Sequence, residues 1–532
     1  MSSHRTLFRY DYRRSPDQDA PSCVRHPVVI VGAGPVGLTA AIDLGTRGVP
    51  VVLLDDADRI GEGSRGICYA KRSLEVWDRL GVGERIRDIG VTWKLGKVFL
   101  GDTLAYSFDL LPEPGHKMPA FINLQQYTLE KVLVDRVQEI PSIDLRWKNK
   151  VVWIASREDG VRLTIETPDG PYEVDADWVI AADGARSTLR SLLGLQFSGV
   201  AFDEKFLIAD VRMEADLPTE RRFWFDPTFH SGQSALMHRQ PDNVWRIDLQ
   251  LGPEADVIEE QKPERVIPRL KRALGGREFS LEWVSIYRFD CRRLVRFVHG
   301  RVIFAGDAAH QVSPFGARGG NSGVQDAENI AWKLAAVLRG EAGDALIGSY
   351  DTERTQAADE NIAHSTRSTD FIAPRTSAEH RLRNAVLALA PHVEFARRMV
   401  NSGRLSVATI HASPLSTPDE DLFAGAAQLG APAPDAPIRI DGRDGFLLER
   451  LRGGFHLICA DGPAPQGLPK DIGLTVIDAN VDTAGLFRQR YDATPGSVFL
   501  LRPDQHLAAR WRAFDRGKLD KALARALGRS QG

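Results

Sequence analysis

Gly32-Ala33-Gly34-Pro35-Val36-Gly37 is the first stretch of this sequence whose residue types and spacing could do chemistry. It separates an apolar run, Val28 to Val31, from a segment of small and apolar residues reaching Gly45, which predicts a strand, a tight turn and a helix. In such a unit Gly32 permits the turn, Gly34 lets backbone approach a pyrophosphate, and Gly37 lets helix and strand pack closely. Pro35 and Val36 complete the turn where the helix presents unpaired amides and the positive end of its dipole to phosphates. Asp55 follows a second buried strand, Val51 to Leu54, and can accept a hydrogen bond from an adenosine ribose hydroxyl. The alternative is a glycine-rich turn without a ligand. The flanking strand, the helix and Asp55 together argue for a dinucleotide.

Two distant segments share one design. Asp177 to Ser187 contains Asp183-Gly184, and Gly300 to Asn321 contains Gly306-Asp307, Pro314 and Gly319-Gly320-Asn321. Each opens with a buried strand that ends in an aspartate beside a glycine. This places a carboxylate at the carboxyl edge of a parallel sheet, where doubly wound folds bind ligands. Asp307 suits the ribityl hydroxyls of a flavin. Glycines around Arg318 would let amides approach the flavin ring, and a helix expected from near Ser322 would aim its dipole there.

These three segments resemble the dinucleotide, DG and GD fingerprints of the single-component, FAD-dependent aromatic hydroxylases, over about Pro27 to Arg375. The last domain resembles the thioredoxin-like extension of the phenol hydroxylase and 3-(3-hydroxyphenyl)propionate hydroxylase branch, particularly over Val498 to His506. The resemblance implies FAD as cofactor, with Arg65, Gln126 and Asp183 near it, and Arg72 where the family uses an arginine. It also implies a transient NAD(P)H, a flavin C4a-hydroperoxide formed with O2, and oxygen transfer to a phenolic ring. A homodimer is a further implication. One departure concerns the substrate: Arg65-Gly66-Ile67 lacks the catalytic aspartate that phenol hydroxylase carries there. Polyketide-type ring hydroxylases share the fingerprints and remain an alternative, as does a non-catalytic FAD protein that shields a metabolite. Flavin halogenases need a WxWxIP segment, which is absent.

The substrate-activating group is sought in the β-rich stretch from Phe202 to Tyr287. Tyr287 is the first choice, followed by His238, with His230 and Arg288 also considered; each could equally be a core or surface residue. Pro314 is counted with both the cofactor and the catalytic positions. His310 is expected to be structural, bonded within its loop.

The expected architecture is α/β: a Rossmann-like FAD-binding domain interleaved with a β-sheet substrate domain, as in para-hydroxybenzoate hydroxylase, followed by a thioredoxin-like α/β domain. Residues 1–26 form a tail. Residues 27–92, 120–199 and 295–375 build the FAD-binding domain, and 93–119 with 200–294 the substrate domain. Residues 376–420 give helix and linker, and 421–532 the thioredoxin-like unit. That unit lacks a CxxC, and Cys23, Cys68, Cys291 and Cys459 show no disulfide, metal or dithiol spacing. With 68 Lys and Arg against 71 Asp and Glu, the net charge is −3, which favours neither nucleic acid nor an anionic membrane as partner. No apolar run approaches the roughly 18 residues of a membrane span, and the expected location is the cytoplasm.

Overall fold

A computed structural model describes residues 8–61, 63, 65–400, 407–469 and 472–529. Its first sheet runs Val298–His299, Val302–Phe304, Gly170–Ala181, Val24–Val31, Val51–Leu54 and Ile143–Arg146 in spatial order. All of these pairings but the first, Val298–His299 with Val302–Phe304, are parallel. Val28 to Ile30 and Leu53-Leu54 are fully buried, because helices cover both faces of such a sheet. Strand Val24–Val31 begins ahead of the apolar run since pairing with Gly170–Ala181 already starts at Val24↔Val174.

The second sheet is mostly antiparallel and crosses the molecule in the order His310–Gln311, Ser280–Leu294, Phe197–Arg212, Val244–Gln250, Ser234–Arg239, Arg221–Phe225, Leu95–Leu100 and Thr103–Asp109. Residues 95–109 therefore enter this sheet through a parallel pairing with Arg221–Phe225. Alternation divides its faces. Leu207, Ala209, Met237, Ile247 and Leu249 pack on Val266 and Leu270 of helix Pro263–Ala273. The opposite face carries Phe206, Phe225, Leu236 and Phe289, with Phe315 from the third fingerprint packed among them.

Near the carboxyl end, Gly473–Ile477, His456–Ala460, Val498–Leu501 and Leu507–Trp511 form a four-stranded sheet. The first pair is parallel and the next two antiparallel, the thioredoxin arrangement. Cys459 is buried in its strand, and all four cysteines are free. Among the described residues no helix is long and apolar enough to cross a membrane.

This last unit is locked to the first by buried charge. Arg72, 1% exposed, pairs with Glu328 at 2.7 Å and donates to the carbonyl of Asp504 and to Gln505 Oε1. The arginine expected beside the cofactor is thus an interdomain clamp. The sequence could not reveal this, because Glu328, Asp504 and Gln505 lie more than 250 residues away from Arg72.

Candidate functional site

Helix Pro35–Thr46 starts immediately after Gly34, with Pro35 at the position where a missing N–H costs nothing. Gly32 has φ +106°, and a Cβ there would lie 2.4 Å from the Ala182 carbonyl oxygen. At Gly37 a Cβ would lie 1.9 Å from the Gly32 oxygen. Gly34, by contrast, would meet nothing within 4 Å. Close packing therefore dictates the outer two glycines, while the middle one faces open space at the helix N-terminus.

The third fingerprint meets the first through Val36. A Cβ on Gly306 would sit 2.9 Å from a Val36 methyl, and one on Gly323 2.6 Å from the same methyl. Helix Gly319–Leu338 begins at Gly319, three residues ahead of the expected Ser322. Hence Gly319, Gly320 and Asn321 lie in its first turn, and Gly320 is exposed with nothing near its would-be Cβ. Asp307 stands beside this helix start, 4.0 Å from the would-be Cβ of Gly319. Its side chain opens to solvent within the cleft, yet surrounding protein desolvates it and raises its carboxyl above the usual range.

The connecting turn is strained where it approaches the cleft. Ala317 donates its N–H to the carbonyl of Pro314 and takes φ +53°, next to Gly316 at φ +95°. A left-handed alanine costs on the order of 1 kcal/mol and persists where surrounding structure enforces it. Pro314 itself is exposed.

Other predicted residues fall around this convergence. Asp55 Oδ2 accepts from Ala33 N at 2.7 Å and Oδ1 from Ala57 N at 2.9 Å; burial raises its pKa to about 6. Asp183 Oδ2 accepts from Leu189 N, whereas its buried Oδ1 has no hydrogen-bond partner among the described residues. Gln126 accepts from Gly66 N and donates to Glu130 Oε1, so it clasps the loop that carries the exposed Arg65. The charge of Arg65 is felt at Asp307 and at Tyr287, which places the loop between the cofactor segments and the second sheet.

Asn321 is spent on protein. Its amide donates to the carbonyls of Cys68 and Ala317, and its Oδ1 accepts from Ala70 N and Ser73 Oγ. Arg318 turns to Asn361 Oδ1. His310 is bonded outside its loop: Nε2 meets Asp326 Oδ2 at 2.6 Å, and that carboxylate also takes the Gly306 N–H and the Arg354 guanidinium. The ring therefore anchors the GD turn to the helix.

The second sheet turns a polar row toward the same cleft. Cross-strand pairing sets Trp283, Asp210, Arg246 and His238 side by side. Arg246 holds Asp210 at 2.8 Å and lies over the Trp283 ring, which neighbours Tyr287. His238 packs edge-on against Trp93, its Nδ1 is buried without a partner among the described residues, and burial followed by Arg221 and Arg246 keeps the ring neutral. Tyr287 is half-buried on this face, and burial raises its pKa. His230 and Arg288 are elsewhere: the first bonds the Gln250 carbonyl, and the second is an exposed partner of Asp203. Sequence reasoning missed Asp210, Arg221 and Asp248. Strand Val244–Gln250 alternates polar and apolar residues at Arg246-Ile247-Asp248, a pattern that marks a polar face without showing what it faces.

Two glycines with open approaches, two helix N-termini and an orphaned carboxylate oxygen at one sheet edge define a dinucleotide-binding oxidoreductase fold with a second sheet closing over the site. The residues present fit FAD. Comparison with known proteins agrees: residues 25–365 match the FAD binding domain family, and the chain belongs to it. It is 30% identical to a flavin-dependent monooxygenase of Mycobacteroides abscessus over 502 residues, spanning 90% of this chain and 96% of that one. A 3-(3-hydroxy-phenyl)propionate/3-hydroxycinnamic acid hydroxylase of Mycolicibacterium smegmatis is 28% identical over 550 residues, spanning 95% and 94%. The flavin-dependent monooxygenase PieE, solved with FAD and substrate, shares the fold with a TM-score of 0.82 and 24% identity, over 96% of this chain and 100% of PieE.

Asp307→Ala is expected to weaken FAD retention by about 1–3 kcal/mol, the cost of losing a hydrogen bond to a charged acceptor. Flavin retained per protein after ultrafiltration measures it, and unchanged occupancy would show that Asp307 makes no such bond.

Proposed function

We propose that this protein is an FAD-dependent monooxygenase that hydroxylates a phenolic aromatic compound using NAD(P)H and O2. The observation that carries this reading is the convergence of the three fingerprint segments beneath a sheet face that is aromatic at one end and polar at the other. Bound FAD would supply the redox chemistry, taking a hydride from the nicotinamide and activating oxygen. The residues that would hold it are Gly32, Gly34, Pro35, Val36, Gly37, Asp55, Asp183, Gly306, Asp307, Gly319 and Gly320, with Arg65 and Gln126 on the adjoining loop. Helices Pro35–Thr46 and Gly319–Leu338 would direct their N-terminal dipoles at its negative groups.

The remaining work falls to this chain's side chains. Phe206, Phe289 and Phe315 form a mutually packed aromatic wall that excludes water and orients a ring. Neutral His238 and the hydroxyl of Tyr287 offer hydrogen bonds to ring oxygens. Pro314 lies on the strained turn above them, where a substrate would meet the cofactor.

The test mixes holoenzyme, NAD(P)H and a panel of phenols, and follows loss of the reduced nicotinamide. Oxidation is expected to be slow alone and to rise by orders of magnitude with the correct phenol, because only a ligand with differential affinity can shift an open site toward a closed one. Stopped-flow flavin reduction at equal rates with and without every phenol would favour an oxidase or a carrier.

A further inference from the structure

We propose that Asp248 is the base that takes the proton of the substrate's ring hydroxyl, so that this chain acts on phenols too weakly acidic to ionise unaided. This rests on the hydroxylase reading and adds the residue whose counterpart the Arg65-Gly66-Ile67 segment lacks.

Asp248 lies on strand Val244–Gln250, two residues from Arg246 and therefore on the same face, paired across to Ile208 and Leu236. It sits where the polar row meets the aromatic wall formed by Phe206, Phe289 and Phe315. Among the described residues its side chain makes no hydrogen bond or ion pair, and its Oδ1 is buried. Asp210, the other carboxylate of the row, is saturated by Arg246 and Gln240. A buried acceptor left unpaired carries a desolvation cost that a ligand's hydroxyl can offset.

The neighbouring titratable groups are unsuited to the task. Tyr287 holds its own proton at neutral pH. His238 is a poor base, its pKa driven well below the ordinary value by burial, Arg221 and Arg246. Burial likewise raises the thiol of Cys68, to about 11. Burial, opposed by Arg246 and Arg221 and reinforced by Asp210, raises Asp248 to about 6. A base performs best when its pKa lies near the working pH. Arg221 makes no ion pair of its own among the described residues, and with Arg246 it offsets the charge left on the substrate. In the step itself the substrate O–H bond breaks and an O–H bond forms on Asp248. The electron pair stays on the phenolate oxygen, and the proton passes to water when the cleft opens.

The test compares wild type, Asp248→Asn and Asp248→Glu holoenzymes with two phenol sets. One set ionises only near the ordinary phenol value of about 10, and the other carries nitro groups and is already ionised in neutral water. Asp248→Asn is expected to lose about 100-fold or more in hydroxylation of the weakly acidic set, to keep the acidic set within a few-fold, and to be rescued in part by Asp248→Glu. In the wild-type protein, kcat/KM for the weakly acidic set should rise with pH through about 6 as Asp248 loses its proton, and Asp248→Asn should lack that limb. Equal loss on both sets, no loss on either, or a pH limb near 6 that persists unchanged in Asp248→Asn would overturn the proposal. Failure of the wild-type protein to hydroxylate any phenol would instead remove the hydroxylase reading, and this inference with it.

Discussion

Gly37→Ala protein is expected to purify without yellow colour. The added methyl would lie 1.9 Å from the Gly32 carbonyl oxygen, a backbone atom fixed between the first strand and Ala182. No flexible side chain is available to move aside, so helix Pro35–Thr46 must shift off the sheet and carry its N-terminal amides with it. Overpacking of this kind costs about 1–3 kcal/mol, and here the displaced groups are those that would hold the pyrophosphate. Gly34→Ala is the matched control: its φ of −78° suits alanine, and its methyl would touch no protein atom within 4 Å. That variant should keep wild-type stability, so any loss of flavin reports on the ligand's approach alone. Flavin absorbance after desalting, read beside a thermal melt, separates the two. Gly37→Ala protein that retained a full complement of FAD would refute the assignment of this turn to the cofactor.

The second large effect concerns stability. The Arg502 side chain is 1% exposed and lies 2.5 Å from both Glu353 and Asp504, which are themselves fully buried. Burial alone would raise the Glu353 carboxyl; Arg502 and Lys333 overcome that and hold it far below the usual carboxylate range. Asp504 is held well below it in the same way by Arg502 and His506. Arg502→Met would remove the guanidinium shared by these two buried carboxylates, leaving Glu353 to Lys333 and Asp504 to His506 and Trp332, at a cost of about 3–5 kcal/mol. Because both folded-state values are depressed, the stability they contribute is present at neutral pH and is lost only as pH falls through those low values. Denaturant unfolding at neutral pH is the measurement, and a change below about 0.5 kcal/mol, typical of a surface site, would contradict the assignment. The same network includes Trp332 and Asn329, whose side chains reach Asp504 from helix Gly319–Leu338. The last domain thereby braces the helix whose first turn borders the cleft.

Much of the cofactor half was legible in the residues. Apolar runs of four, a glycine spacing and an aspartate after the second strand are local patterns, and local backbone geometry suffices to explain them. The last domain was visible as a separate α/β unit without a cysteine pair, and its thioredoxin-like character through resemblance. The helix start moved from Ser322 to Gly319 because tertiary packing of Gly323 on Val36 can hold glycines in a helical turn that propensity alone would disfavour.

The substrate half was decided by tertiary structure. Tyr287 and His238 were nameable as residue types, but nothing local distinguishes them from His230 or Arg288, which the fold sends elsewhere. The partners of Arg72, Asn321 and His310 belong to other elements, so their roles as clamps became clear only when distant segments met. Asp248 differs from Asp210 only in that pairing brings Arg246 and Gln240 to one of them. An unpaired carboxylate is a property of its surroundings, and a one-dimensional sequence does not record what lies across a sheet. The sequence by itself determined which cofactor this protein is built around; the packing of two sheets decided which of its side chains are left free to read a substrate.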